Sequence, residues 1–152
     1  MRSREIVELT NMCMIYNDES FLVQEKIYSD GKGIIFPGGH VEPTEPITPS
    51  VIREMKEETG LTIEAPQLCG IKDWICEDGS RYIVFLYKTN KFTGELKDSE
   101  EGKVFWIKKS ELKNYNIIWN MEEIFNIIDS DEYSELFFSK AVDGKNSPIL
   151  IR

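Results

Sequence analysis

At 152 residues, with a net charge of −9 and 41% apolar residues, the chain is sized for one domain, residues 1–152, burying about two-thirds of its unfolded surface. It has no run of about 18 apolar residues, so no membrane-spanning helix is expected, and its acidity argues against wrapping a nucleic-acid polymer, which needs a basic stripe. The first residues, MRSREIVELT, lack the apolar core and cleavage site of a signal peptide, so a cytoplasmic location is expected. Cys13, Cys69 and Cys76 are odd in number and have neither zinc nor CxxC spacing, which predicts reduced, buried thiols.

Residues 4–16 are rich in apolar and β-branched side chains and read as a first strand. Asn17-Asp18-Glu19-Ser20 is a turn into a return strand over 21–28. Lys26, the basic side chain of that strand, is either a phosphate contact or an exposed strand lysine. Ser29 to Gly33 reads as a loop and Ile34-Ile35-Phe36 as a short strand. Phe36-Pro37-Gly38-Gly39 then makes a tight loop whose carbonyls can approach a ligand, because glycine has no side chain in the way. A helix follows, starting between Pro46 and Pro49, with Thr48 as a candidate cap and Gly60 as its left-handed stop. Val51, Ile52 and Met55 form its buried face.

Leu61-Thr62-Ile63 opens another strand, interrupted at Pro66. Residues 67–76 and 81–89 form a hairpin around Glu77-Asp78-Gly79-Ser80, and the second of these strands, the most apolar, is expected to cross the middle of the sheet. Glu100 and Glu101 precede the strand KVFWI. Residues 110–114 suggest a short helix capped by Ser110, and Met121, Ile124, Phe125 and Ile128 mark a helix within 119–129. The tail, 131–152, holds DEYSELFF, a Gly-Lys-Asn-Ser-Pro turn and a final ILIR read as an edge strand; no role attaches to it. Strands, a helix, more strands and a late helix predict an α/β fold, a mixed β-sheet with helices on both faces.

Residues 39–61 concentrate the chemistry. Glu54, Glu57 and Glu58 stand at i, i+3 and i+4, so a helix stacks three carboxylates on one face. Such neighbours repel unless a cation sits among them. Oxygen ligands without Cys or His favour a hard ion, Mg²⁺ first and Mn²⁺ second.

The stretch resembles the Nudix box, the signature of the Nudix hydrolases (MutT-type pyrophosphohydrolases). Gly39, Glu45, Arg53, Glu54, Glu57, Glu58 and Gly60 occupy the fixed positions of G-x5-E-x7-R-E-U-x-E-E-x-G-U, with Met55 and Leu61 as the bulky apolar residues. Such a match arises by chance on the order of once per 10⁹ start positions. Thr44 and Pro46 depart from the family's usual Gly and its Ser or Thr cap, changing loop shape and not ligands.

The resemblance implies a Nudix α/β/α sandwich and a nucleotide substrate. It implies a metal site of Glu54, Glu57, Glu58 and the Gly39 carbonyl, completed by Glu101, with Glu100 the alternative. The general base would be Glu54 or Glu101. Arg53 stays protonated and serves as a fork pairing with Glu45 or orienting Glu54. Glu42 and His40 read better as a solvated acid and a hydrogen-bonded loop residue than as ligands. The segment around Trp119 and Glu122 is similar to the base-recognising segment of the oxidised-purine branch. Trp119 would stack on a base or else pack in the core, and Glu122 would accept a hydrogen bond from a purine edge.

The expected reaction is hydrolysis of a nucleoside diphosphate linked to a group X, foremost 8-oxo-dGTP to monophosphate and pyrophosphate. ADP-ribose, a nucleotide sugar or a dinucleoside polyphosphate are the alternatives, and a non-catalytic nucleotide-binding protein a remote one. The protein is expected as a monomer or homodimer.

Overall fold

The computed structural model describes residues 2–140 and 146–152. In chain order the elements are β1 (Val7–Asn17), β2 (Ser20–Tyr28), β3 (Gly31–Ile35), β4 (Gly38–His40), α1 (Ile47–Thr59), β5 (Thr62–Ile63), β6 (Gln67–Ile75), β7 (Arg81–Thr89), β8 (Phe92–Thr93), β9 (Val104–Lys108), a 3₁₀ turn (Lys109–Asn114), α2 (Met121–Ile128), β10 (Glu135–Lys140) and β11 (Asn146–Ile151). The main sheet runs β11-β10-β6-β7-β1-β2-β3, with β4 paired to β1 and β9 to β2. It is mixed: β1 with β7 and β6 with β10 are parallel, while the other pairs are antiparallel. β5 and β8 form a separate two-stranded ribbon.

Alternation along β1 explains the layers. Met12 and Met14 enter one apolar cluster, with Ile124, Phe125 and Ile128 of α2. Cys13 and Ile15 point the other way, into a second cluster with Val51 and Met55 of α1. Successive side chains of a strand face opposite sides, so the run Met12–Ile15, apolar at every position, must be covered twice. Each fully buried aliphatic side chain contributes about 1.5–3 kcal/mol, and the two helices supply that cover. The result is an α/β/α sandwich, and β7 lies in the middle of its sheet.

Several local expectations are corrected. Gly38 and Gly39 are not a loop: with His40 they form β4, antiparallel to Thr10–Met12. The hairpin strand β3 begins at Gly31, so the loop before it shrinks to Ser29 and Asp30. Thr48 is not a cap. α1 opens at Ile47 behind an extended Pro46, and the Thr48 hydroxyl bonds the Tyr87 hydroxyl at 2.8 Å. Gly60 does close α1, at φ 81°. Ile52 is only half-buried, as are Cys69 and Cys76; Cys13 alone of the thiols is buried. Ser110 yields to Lys108 as the residue before the 3₁₀ turn, where the Glu111 carboxylate accepts the Lys108 N–H. α2 starts two residues after Trp119. In the tail, ILIR does end an edge strand. Of the turn expected before it, Asn146-Ser147-Pro148 belongs instead to β11, and Gly144 and Lys145 lie outside the described residues. No helix among the described residues is long and apolar enough to cross a membrane.

Candidate functional site

β1 stops pairing with β4 after Met12 and meets β2 only at Tyr16 and Asn17. Between them, the Cys13 N–H donates to the Pro37 carbonyl at 3.0 Å. Beside this change of partner lies a cleft of about 800 Å³. Its acidic end holds Gly39, Glu54, Glu57, Glu58 and Glu101, with Lys26; its aromatic end holds Trp74, Tyr82, Trp119 and Phe138.

Arg53 organises the acidic end. Its Nε and Nη2 grip Glu45 at 2.7 and 2.8 Å, and Nη2 also donates to the His40 carbonyl at 2.9 Å. Nη1 reaches Glu54 Oε1 at 3.0 Å and Glu57 Oε2 at 3.2 Å. The fork therefore pairs with Glu45 and orients Glu54 at once, joining β4, the following loop and α1. This bidentate contact, with the Glu42 N–H, holds the Glu45 carboxyl down at about 2. In that loop Thr44 adopts φ 67°, the left-handed conformation that suits the glycine it replaces. Glu42 stands 3.8 Å from Arg53, and exposed His40 meets Glu8 at 2.9 Å.

Glu54 and Glu58 are each 8% exposed, whereas Glu57 faces solvent. Burial pushes Glu54 above the ordinary carboxylate range; Arg53 opposes the rise, and Glu57 and Glu58 reinforce it. Glu58 Oε2 accepts from buried Gln24 Nε2 at 2.8 Å and from Ser99 Oγ at 3.3 Å. Gln24 was not legible as a site residue; a polar residue in a strand gives no sign of which face it takes. Ser99 Oγ in turn accepts the Glu101 N–H at 3.1 Å, tying Glu101's loop to α1. Lys26 Nζ bonds Glu101 Oε2 at 3.1 Å. Glu100 and Glu122 do not line the cleft.

Glu54, Glu57 and Glu58 each commit one carboxylate oxygen to these bonds and keep the other. As the side chains stand, no group of three acidic, His or Cys residues among the described ones is arranged to hold an ion; Arg53 takes the place of one. The donor set nonetheless fits a hard divalent cation. A side chain at Gly39 would fall on the Glu54 carboxylate, so the backbone of β4 comes against that acid only because residue 39 is glycine. Asn11 fixes the approach, accepting the Gly39 N–H at 3.3 Å and donating to Ser50 of α1 at 3.0 Å. Carboxylates plus a carbonyl make an all-oxygen set.

At the other end, Trp119 is 51% exposed, not in the core. It and Asn120 both take left-handed conformations, φ 56° and 62°. Consecutive non-glycine residues in that region carry strain, which concentrates at functional sites. Trp74 stacks on Tyr82 with centroids 4.5 Å apart. Lys72, absent from the sequence-based expectations, lies among these rings.

An α/β/α sandwich carrying this box on its first helix defines a Nudix-type domain. Residues 9–128 match the NUDIX domain family, and the chain belongs to it. Nudix hydrolases use divalent metals. The chain is 35% identical over 108 residues to the uncharacterised Nudix hydrolase YvcI of Bacillus subtilis, across 67% of this chain and 66% of that one. It is 30% identical over 80 residues to the phosphatase NudJ of Escherichia coli K12, across 52% of each. The alignments thus span about two-thirds and about half of these curated relatives. Among solved structures it resembles the mutator MutT protein of Bacillus halodurans, with TM-score 0.78, 30% identity and coverage of 94% of this chain and 97% of that one.

Proposed function

We propose that the protein is a Mg²⁺-dependent pyrophosphohydrolase acting on a nucleoside triphosphate, foremost an oxidised purine nucleotide of the 8-oxo-dGTP kind, which it splits to monophosphate and pyrophosphate. The observation that carries this reading is the polarity of one cleft, lined by carboxylates at one end and by aromatic rings, Trp119 exposed among them, at the other. A polyphosphate needs the first and a base the second. The likeness to a mutator MutT structure along nearly the whole chain supports the same reading.

Glu54, Glu57, Glu58, the Gly39 carbonyl and Glu101 would hold the cation. When bound, it neutralises phosphate charge and lowers the pKa of an attacking water. The chain's own residues do the rest. Arg53 and Gln24 hold Glu54 and Glu58 in place, which matters because small displacements of reacting groups cost large factors in rate. Glu54 or Glu101 takes the proton from water. Lys26, now on Glu101, is positioned to exchange that partner for a phosphate oxygen. Trp119 supplies a face for the base. Glu122, exposed on the first turn of α2, is assigned to the rim of the base site.

The test is a panel of nucleotides with Mg²⁺ and product analysis: 8-oxo-dGTP, dGTP, ADP-ribose, a nucleotide sugar and a dinucleoside polyphosphate. Preferential release of pyrophosphate from 8-oxo-dGTP is expected. Cleavage of ADP-ribose with 8-oxo-dGTP turned over no better than dGTP would overturn the assignment. In Trp119→Ala the KM is expected to rise; an unchanged KM removes Trp119 from the base contact.

A further inference from the structure

Four neighbouring strands present one face to the aromatic end of the cleft: Phe138 from β10, Lys72 and Trp74 from β6, Tyr82 and Val84 from β7, Thr10 and Met12 from β1. On this otherwise apolar or neutral floor, Lys72 carries the single charge. It is 7% exposed. Its Nζ donates to the Trp119 carbonyl at 2.7 Å and lies 5.5 and 5.3 Å from the ring centres of Trp74 and Phe138.

Burying an ammonium is unfavourable, and one backbone carbonyl does not satisfy it. It has three N–H donors and no acceptor capacity. Among the described residues, the bond to Trp119 is the one hydrogen bond it makes. The rings on either side hold the positive charge through their faces and offer no lone pair. The group therefore stands at the wall of a cavity with donors to spare.

A base entering between Trp119 and this floor would meet a group that can give hydrogen bonds and cannot receive them. A ring carbonyl satisfies it. An exocyclic amino group at the same place opposes donor to donor and leaves the ammonium's remaining donors unpartnered. Lysine accordingly pairs with the O6 and N7 acceptors of guanine, whereas adenine presents an amino group at the O6 position.

We infer that Lys72 is a specificity-determining residue, donating to a carbonyl of the base so that purines with a carbonyl at C6 are preferred to adenine. The inference rests on the cleft being that of a nucleotide hydrolase. Lys72 also anchors the left-handed Trp119-Asn120 turn, so its bond to that turn and the inferred bond to the base join base selection to the placement of the stacking ring.

The test compares kcat/KM for ITP, GTP and ATP with Mg²⁺ in the wild type, Lys72→Met and Lys72→Gln. ITP and ATP differ at C6, carbonyl against amino, which isolates the contact. The wild type is expected to prefer ITP and GTP to ATP by roughly 10- to 100-fold, the range for one such discriminating contact. Lys72→Met should bring the ratio near one, chiefly through a higher KM for ITP and GTP. Lys72→Gln retains an N–H for Trp119 and adds an acceptor, so it should narrow the ratio with less loss of overall rate. A purely structural lysine would lower all three substrates together and leave the ratio alone; that result in both variants overturns the inference, as does a wild type that does not favour ITP. The outcomes also separate this inference from the broader assignment. If 8-oxo-dGTP is treated like dGTP while ITP over ATP depends on Lys72, the oxidised substrate is lost and the role of Lys72 stands. If ADP-ribose is cleaved and no triphosphate is, both fall.

Discussion

Lys72 should betray itself in stability as well as specificity. Burial drives its ammonium down from the ordinary 10.5 to about 8, with Glu123 opposing the fall. The folded-state value lies below the unfolded one, so between about pH 8 and 10.5 the unfolded chain binds the proton that the native chain has released. Native stability from this group therefore rises with pH across that window. At about 1.4 kcal/mol per pH unit, the charged lysine weighs on the fold below pH 8 by about 3 kcal/mol relative to its neutral form. Lys72→Met removes the proton and with it the pH dependence. The stability difference, variant minus wild type, should thus be about 3 kcal/mol more favourable to the variant at pH 7 than at pH 10.5. The lost bond to Trp119 shifts both ends of this comparison without creating the slope. Urea unfolding of both proteins at several pH values, with m held in common, measures it. A difference flat from pH 7 to 10.5 would refute the claim that the ammonium is held in a costly place.

Further expectations concern the acidic end. Glu57→Gln exchanges one exposed oxygen of the proposed ligand set for an amide; kcat should fall roughly 100-fold or more while the melting temperature stays put, and near-normal turnover would remove Glu57 from that set. Gln24→Met deletes the bond to Glu58 together with a buried carbonyl oxygen that has no partner among the described residues. Activity should drop about 10- to 100-fold, as for other groups that orient metal ligands, with thermal stability unchanged or raised; a large loss of stability with full activity would contradict this positioning role. Glu45 is held at about 2 by Arg53, below its ordinary 4.5, so its contribution is present above pH 4.5 and is lost as pH falls toward 2. An acid titration of stability should be shallower over that range in Glu45→Gln, and coincident slopes would argue that the Arg53 contact does nothing for the fold.

The chain announces its chemistry in one local stretch because the acidic helix is local. Glu54, Glu57 and Glu58 share a face by helical spacing alone, Gly60 stops the helix by its backbone freedom, and Val51 and Met55 declare the buried side. The apolar run of β7 likewise marked a strand covered on both faces, and with it the middle of the sheet. None of that required knowing what lay across the molecule.

What the sequence could not supply came from contacts between distant residues. Gly38–His40 became a strand because β1 offered it a free edge, a fact about Thr10–Met12 and not about the glycines. Lys72 gained its place from β6 joining β7 on one side and β10 on the other, the second of these across more than sixty residues of chain. In a strand, side chains alternate between faces, and a lysine written between Ile71 and Asp73 points to solvent or to a cavity according to what packs above it. Folding decided that α2 and the strained Trp119-Asn120 turn would close over that face. Local spacing could specify a set of acids suited to a cation; only the sheet's long-range pairing could bring a buried lysine and a group of aromatic rings to the same cleft.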